Sequence, residues 1–161
     1  MIGNYVGIGA NSVAFFNRGN SKAGIYVAGG QNLIESNVIG FNGGDGVEFD
    51  TSDANGNMLE ANMIGLDPLG ADSPNSGSGI RIQGSAHDNE LDTNRVTANG
   101  AAGVRITSGQ GNHLEFNFIY ANIGLGIDLA GAGITANDND SNAQPADYAK
   151  ATFLKSATIS S

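Results

Sequence analysis

One phrase, an Asn followed by an aliphatic residue, an acid and a second Asn, is written four times at a fixed internal spacing. Its copies are Asn32-Leu33-Ile34-Glu35-Ser36-Asn37-Val38-Ile39, Asn57-Met58-Leu59-Glu60-Ala61-Asn62-Met63-Ile64, Asn89-Glu90-Leu91-Asp92-Thr93-Asn94-Arg95-Val96 and Asn112-His113-Leu114-Glu115-Phe116-Asn117-Phe118-Ile119. A second phrase falls between them: Gly24-Ile25-Tyr26-Val27, Gly46-Val47-Glu48-Phe49, Gly79-Ile80-Arg81-Ile82, Gly103-Val104-Arg105-Ile106 and Gly126-Ile127-Asp128-Leu129. The repeat is therefore about 23 residues long with a single insertion. Each unit holds three short segments of period-two alternation bounded by Gly, Asn or Asp, a strand pattern that leaves no room for a helix.

Three strands per unit make a coil, and stacked coils pair each strand with its equivalent about 4.8 Å away. Like positions then form columns. Ile34, Leu59, Leu91 and Leu114 are one inward column, Ile39, Ile64, Val96 and Ile119 another, and Ile25, Val47, Ile80, Val104 and Ile127 a third. Asn37, Asn62, Asn94 and Asn117 fall at a bend, where Asn tolerates the left-handed backbone region and stacked amides can bond from rung to rung. Asn42, Asp67, Asn99 and Asn122 mark the next corner. The long loop from Asp67 to Ser78, with Pro68 and Pro74, is the insertion, and Asn75 within it reads as a surface residue. Gly is 25 of 161 residues without a collagen-like triplet period, which points to many tight turns.

The coils occupy residues 1–130 and a polar loop and tail residues 131–161, with 152–159 alternating weakly enough to lie across the last coil as a cap. Met1-Ile2-Gly3 matches Met63-Ile64-Gly65, so the chain opens within a coil, as a segment of a longer protein or one whose open end is covered by a partner would. A formal charge of −9 and a pI near 4.3 argue against nucleic acid or an anionic membrane surface as partner. No apolar run approaches the roughly 18 residues of a membrane-spanning helix, and Met1 to Asn4 lack the features of a signal peptide. The absence of cysteine removes disulfides and thiolate metal sites.

These phrases, resembling NxIxxNxI followed by GIxL, are similar to those of the right-handed parallel β-helix repeat family, the architecture of pectin-lyase-like proteins. The resemblance covers about residues 1–130. It implies an all-β solenoid of about five to six coils with three short parallel sheets and an asparagine ladder at a corner. It also implies an extracellular or cell-surface setting. Function is left open by it, since the family includes polysaccharide lyases, hydrolases, epimerases, phage tail proteins and adhesins.

In pectin-lyase-like enzymes the groove lies on the GIxL sheet and the loops before it. That column here reads Tyr26, Glu48, Arg81, Arg105, Asp128, flanked by Ala28, Asp50, Gln83, Thr107, Ala130. Glu48 and Asp50 stand two apart on one strand face, about 7 Å, compatible with the carboxylates of an inverting glycosidase. Glu48, Asp50, Arg81, Arg105 and Asp128 are thus the candidate catalytic residues, and Tyr26, Gln83 and Arg105 the candidate carbohydrate contacts. An arginine could hold a uronate carboxylate or act as a lyase base, as the resemblance implies. The plain alternative is charge pairing between rungs, Glu48 with Arg81 and Arg105 with Asp128. The paired aspartates and Gly-His-Gly phrase of polygalacturonase-like proteins are missing, and so are a phosphate loop, a nucleophile elbow and a metal-spaced His pair.

Two acidic features raise calcium as a cofactor: the outward ladder Glu35, Glu60, Asp92, Glu115, and Asp138-Asn139-Asp140-Ser141-Asn142, whose Asp138, Asp140 and Asn142 place oxygens at alternate positions. Leu33 and Met58 on one sheet, with Val38, Met63, Phe118 and Tyr120 on another, are apolar and outward, an expected association patch. Two readings follow. One is a rigid β-helix scaffold with a carbohydrate-binding face; the other is a glycoside hydrolase or polysaccharide lyase working on the GIxL sheet.

Overall fold

The computed structural model describes residues 1–8 and 19–129, and among them every regular element is a β-strand. Strands β1 (Tyr5–Val6), β4 (Val38–Ile39), β7 (Met63–Ile64), β10 (Arg95–Thr97) and β13 (Phe118–Tyr120) form one sheet. A second, the GIxL sheet, holds β2 (Ile25–Val27), β5 (Val47–Asp50), β8 (Ile80–Gln83), β11 (Val104–Ile106) and β14 (Ile127–Asp128). The third holds β3 (Leu33–Glu35), β6 (Met58–Glu60), β9 (Glu90–Asp92) and β12 (His113–Glu115). All strand pairs within these sheets are parallel, and each joins equivalent positions of successive coils. This is a right-handed parallel β-helix with three sheets, as the phrases predict.

The expected columns form the core. Leu59 and Leu91, Ile64 and Val96, and Val47, Ile80 and Val104 are fully buried in one cluster with Phe49 and Ile82. Columns of matching aliphatic side chains bury apolar area on every rung, and that removal from water is the main stabilising term.

Each corner carries its own asparagine ladder, three where one had been expected. Asn4, Asn37, Asn62, Asn94 and Asn117 stack at the first corner. Asn32, Asn57, Asn89 and Asn112 stack at a second. Asn20, Asn42, Asn75, Asn99 and Asn122 stack at the third. The bonding is reciprocal: Asn94 Oδ1 accepts from both the backbone N and Nδ2 of Asn62, while Asn94 Nδ2 donates to Leu59 O and to Asn117 Oδ1. A buried turn is thereby satisfied without water.

The structure corrects four local expectations. The left-handed residue is the one before the ladder Asn at most rungs: Ser36, Ala61, Thr93 and Phe116 have φ between 50° and 55°, and Phe41, Ala98 and Ala121 follow the same rule, whereas Gly19 and Pro74, before Asn20 and Asn75, do not. Such φ values are costly for side-chain-bearing residues and persist because the ladder over-determines the bend. Asp67 is outside the ladder; its Oδ1 accepts from the backbone N of Leu69 and Ala71, each at 2.8 Å, and closes the start of the loop. Asn75 takes the rung instead and is fully buried, because the insertion enters ahead of the corner and Pro74 delivers the chain back to it. At the start, Tyr5-Val6 pairs with Val38-Ile39, so the segment equivalent to Met63-Ile64-Gly65 is Tyr5-Val6-Gly7, not Met1-Ile2-Gly3.

The glycine opening the GIxL phrase is required by packing rather than by a turn at Gly24, Gly46, Gly79 and Gly103, while Gly126 on the last described coil has space for a Cβ. A Cβ at Gly79 would lie 2.3 Å from Val96 Cγ1 and 2.8 Å from Gly103 O, and one at Gly103 would lie 2.4 Å from Ile119 Cγ2. The residue has no room for a side chain where one coil crosses the inward column of another sheet.

Candidate functional site on the GIxL sheet

The alternation of the GIxL phrase turns one residue per strand outward, and the parallel register stacks these into a column. Tyr26 pairs with Glu48, Glu48 with Arg81, Arg81 with Arg105 and Arg105 with Asp128. One position along, Asp50 pairs with Gln83. Every candidate residue of this sheet therefore lies on a single face.

The first three rungs of the column form the floor of an open groove of about 730 Å³, with Tyr26, Glu48, Asp50 and Arg81 on the floor and the turns at 21–23 and 43–45 as its wall. Tyr26 is 56% exposed and donates its hydroxyl to Asp50 Oδ2 at 3.1 Å. Gln83 Nε2 donates to Glu48 Oε1 at 2.7 Å. Arg81 is not bonded to Glu48 as rung-to-rung pairing had suggested. Among the described residues it pairs with Asp45, at 3.7 Å, held in place because Asp45 Oδ1 also accepts from Ser78 N at 2.6 Å. The expected Arg105 to Asp128 pair is present at 3.4 Å and lies outside the groove.

The carboxylates affect one another. Partial burial and the negative charges of Asp45 and Asp50 raise the Glu48 pKa above the ordinary carboxylate range, with Arg81 and Lys22 opposing. The Tyr26 hydroxyl is raised too, chiefly because it donates to Asp50, whose charge disfavours a phenolate beside it. Lys22 and Asp45 were not singled out by sequence reasoning. Their signal was position: Lys22 stands two residues and Asp45 one residue before the glycine of a GIxL phrase, where the resemblance places the groove-forming loops.

Away from the groove, Leu33 pairs with Met58, but Glu90 and His113 follow them in the column. On the neighbouring sheet Arg95 separates Met63 from Phe118 and donates from Nε to Tyr120 Oη at 2.7 Å. The apolar patch of Leu33, Met58, Met63, Phe118 and Tyr120 is thus broken by charged or polar rungs. Glu35, Glu60, Asp92 and Glu115 are in register as an acidic ladder, yet among the described residues no three metal-ligating acids or histidines converge. Asp138, Asp140 and Asn142, and the cap and loop in 131–161, lie outside the described residues.

A family model described as right-handed beta helix region matches residues 10–152. No curated protein and no solved structure matched the chain.

Proposed function

The chain belongs to the family of right-handed β-helix regions, and from that premise we propose that it is a rigid solenoid segment of a secreted or cell-surface protein that binds carbohydrate in the groove of its GIxL sheet. The observation that carries this reading is the groove itself. An exposed tyrosine ring, two carboxylates and a guanidinium converge on one open floor about three rungs long. Sugars are bound by such sets, with an aromatic face against the ring C–H groups and planar polar groups taking pairs of hydroxyls. The rungs rise at about 4.8 Å each and fix these groups without a loop having to order on binding. Three carboxylates against two cations in the groove, on a chain of net charge −9, favour a neutral glycan over a polyanion. The test is calorimetric titration with neutral and uronate oligosaccharides. Tyr26→Ala should abolish binding of a neutral oligosaccharide without moving the melting temperature; unchanged binding would place the sugar elsewhere.

A second reading, hydrolysis of a glycan in the same groove, is favoured by the raised Glu48 pKa beside Asp50. A carboxyl that holds its proton more tightly than usual, facing a second carboxyl about 7 Å along the strand, is the pairing that glycoside cleavage uses for its acid and base. Glu48 would donate the proton to the leaving oxygen and Asp50, restrained by Tyr26, would activate water. Release of reducing ends that Glu48→Gln abolishes while binding survives would establish it; binding with no turnover would leave the scaffold reading alone.

A further inference from the structure

Asn-Gly occurs three times, at Asn42-Gly43, Asn55-Gly56 and Asn99-Gly100. In this dipeptide the glycine backbone nitrogen can attack the Asn side-chain carbonyl, because no Cβ on the following residue hinders the approach. The new N–Cγ bond expels Nδ2 as ammonia and closes a succinimide. Water then opens either imide bond, leaving aspartate or isoaspartate. The net change is amide plus water to carboxylate plus ammonium. Two conditions control it: Cγ must be free to turn toward the nitrogen, and the nitrogen must be free to lose its proton.

The fold treats the three sites unequally. Asn42 and Asn99 are ladder rungs, buried, with Oδ1 accepting from the neighbouring rung and Nδ2 donating to the next. Their glycine nitrogens are engaged in short bonds, Gly43 N to Asn20 O at 2.7 Å and Gly100 N to Asn75 O at 2.8 Å. Asn55 is part-exposed and is not in a ladder. Among the described residues its side chain makes one local bond, Nδ2 to Asp53 O at 3.1 Å, and Gly56 N reaches His87 O only at 3.4 Å. Gly56 is also left-handed, at φ 59°, on a turn where a Cβ would have only Gln31 near it at 3.7 Å.

We propose that Asn55-Gly56 is a deamidation site of the folded chain, and that the ladders shield Asn42 and Asn99, which convert only when coils open. Conversion at a ladder site replaces an amide that donates and accepts with a carboxylate that only accepts, and isoaspartate adds a backbone atom at the corner. Either change leaves the donors and acceptors of adjacent rungs mismatched, so opening of the coils becomes irreversible with time.

The test is peptide mapping by mass spectrometry after incubation of the full chain in mildly alkaline buffer, folded and in denaturant, with isoaspartate scored by its methyltransferase. Folded protein should convert at Asn55 more than roughly ten-fold faster than at Asn42 or Asn99, since buried sites react only through opening. In denaturant the three should converge. Refolding yield should fall with time in denaturant in step with conversion at Asn42 and Asn99, and Asn55→Gln should leave that decay unchanged. Equal rates at the three sites in folded protein, or an intact Asn55 while the denatured chain converts, would overturn the proposal.

Discussion

Replacing Asn94 by Ala removes a rung from the middle of a ladder, and the structure fixes what is then lost. Asn62 N, at 3.0 Å from Asn94 Oδ1, is left without its acceptor in a fully enclosed corner, while Asn62 Nδ2 retains Ile34 O at 2.9 Å and so loses only one of two bonds. Leu59 O loses a donor at 2.7 Å, whereas Asn117 Oδ1 still accepts from Asn94 N at 2.9 Å. One orphaned buried N–H costs about 1–3 kcal/mol, and with the void left by the amide the total is about 2–4 kcal/mol. For a chain of this length that corresponds to a fall of roughly 5–15 °C in Tm. Thermal unfolding followed by circular dichroism measures it, with Asp53→Ala, an exposed turn residue, as a control expected within about 0.5 kcal/mol of wild type. Asn75→Ala should match Asn94→Ala, since Asn75 is also a buried rung. If Asn94→Ala shifted no more than Asp53→Ala, the ladder would be a geometric coincidence of stacking and not a source of stability.

Three other outcomes follow from the same geometry. Gly79→Ala should cost about 2–4 kcal/mol or block folding, read by denaturant titration, because its methyl group would overlap Val96 and the Gly103 carbonyl; a neutral effect would show that the coils breathe more than their packing implies. The folded state holds the Glu48 proton more tightly than the unfolded chain does, so this group favours folding below the ordinary carboxylate pKa. That contribution is lost as pH rises through the raised folded value, and Glu48→Gln should flatten this part of the Tm against pH curve; a parallel curve for the variant would refute the raised pKa. Arg105→Met should change stability by under about 1 kcal/mol, since its pair with Asp128 is part-exposed and long at 3.4 Å; a larger loss would mean the pair is integral to the last coils.

The fold was legible because a stacked solenoid writes its contacts into the period. Leu59 and Leu91 are neighbours in space for the same reason that they are equivalent in phrase. Ladders at the other corners were less visible, since Asn32, Asn57, Asn89 and Asn112 could be read merely as turn residues starting each phrase. The insertion misled for a physical reason: counting residues from Asn42 lands on Asp67, whereas the chain makes its loop first and returns to the rung at Asn75. The left-handed residues of the first ladder vary in type, Ser36, Ala61, Thr93 and Phe116, so no composition signal marks them. In the candidate site, alternation identified which side chains face outward, but not their partners. Arg81 turns to Asp45 and Glu48 to Gln83 because long side chains on a flat face choose among several neighbours within reach.

Whether the outward face of the GIxL sheet is a glycan-binding groove on a rigid β-helix is decided by diffraction from crystals soaked with the best neutral oligosaccharide from the titration. Sugar density should lie along the groove, one ring against Tyr26 and hydroxyls within hydrogen-bond reach of Glu48, Asp50 and Arg81, with the coil backbone unmoved. An ordered oligosaccharide on another face with this groove left to solvent would contradict it.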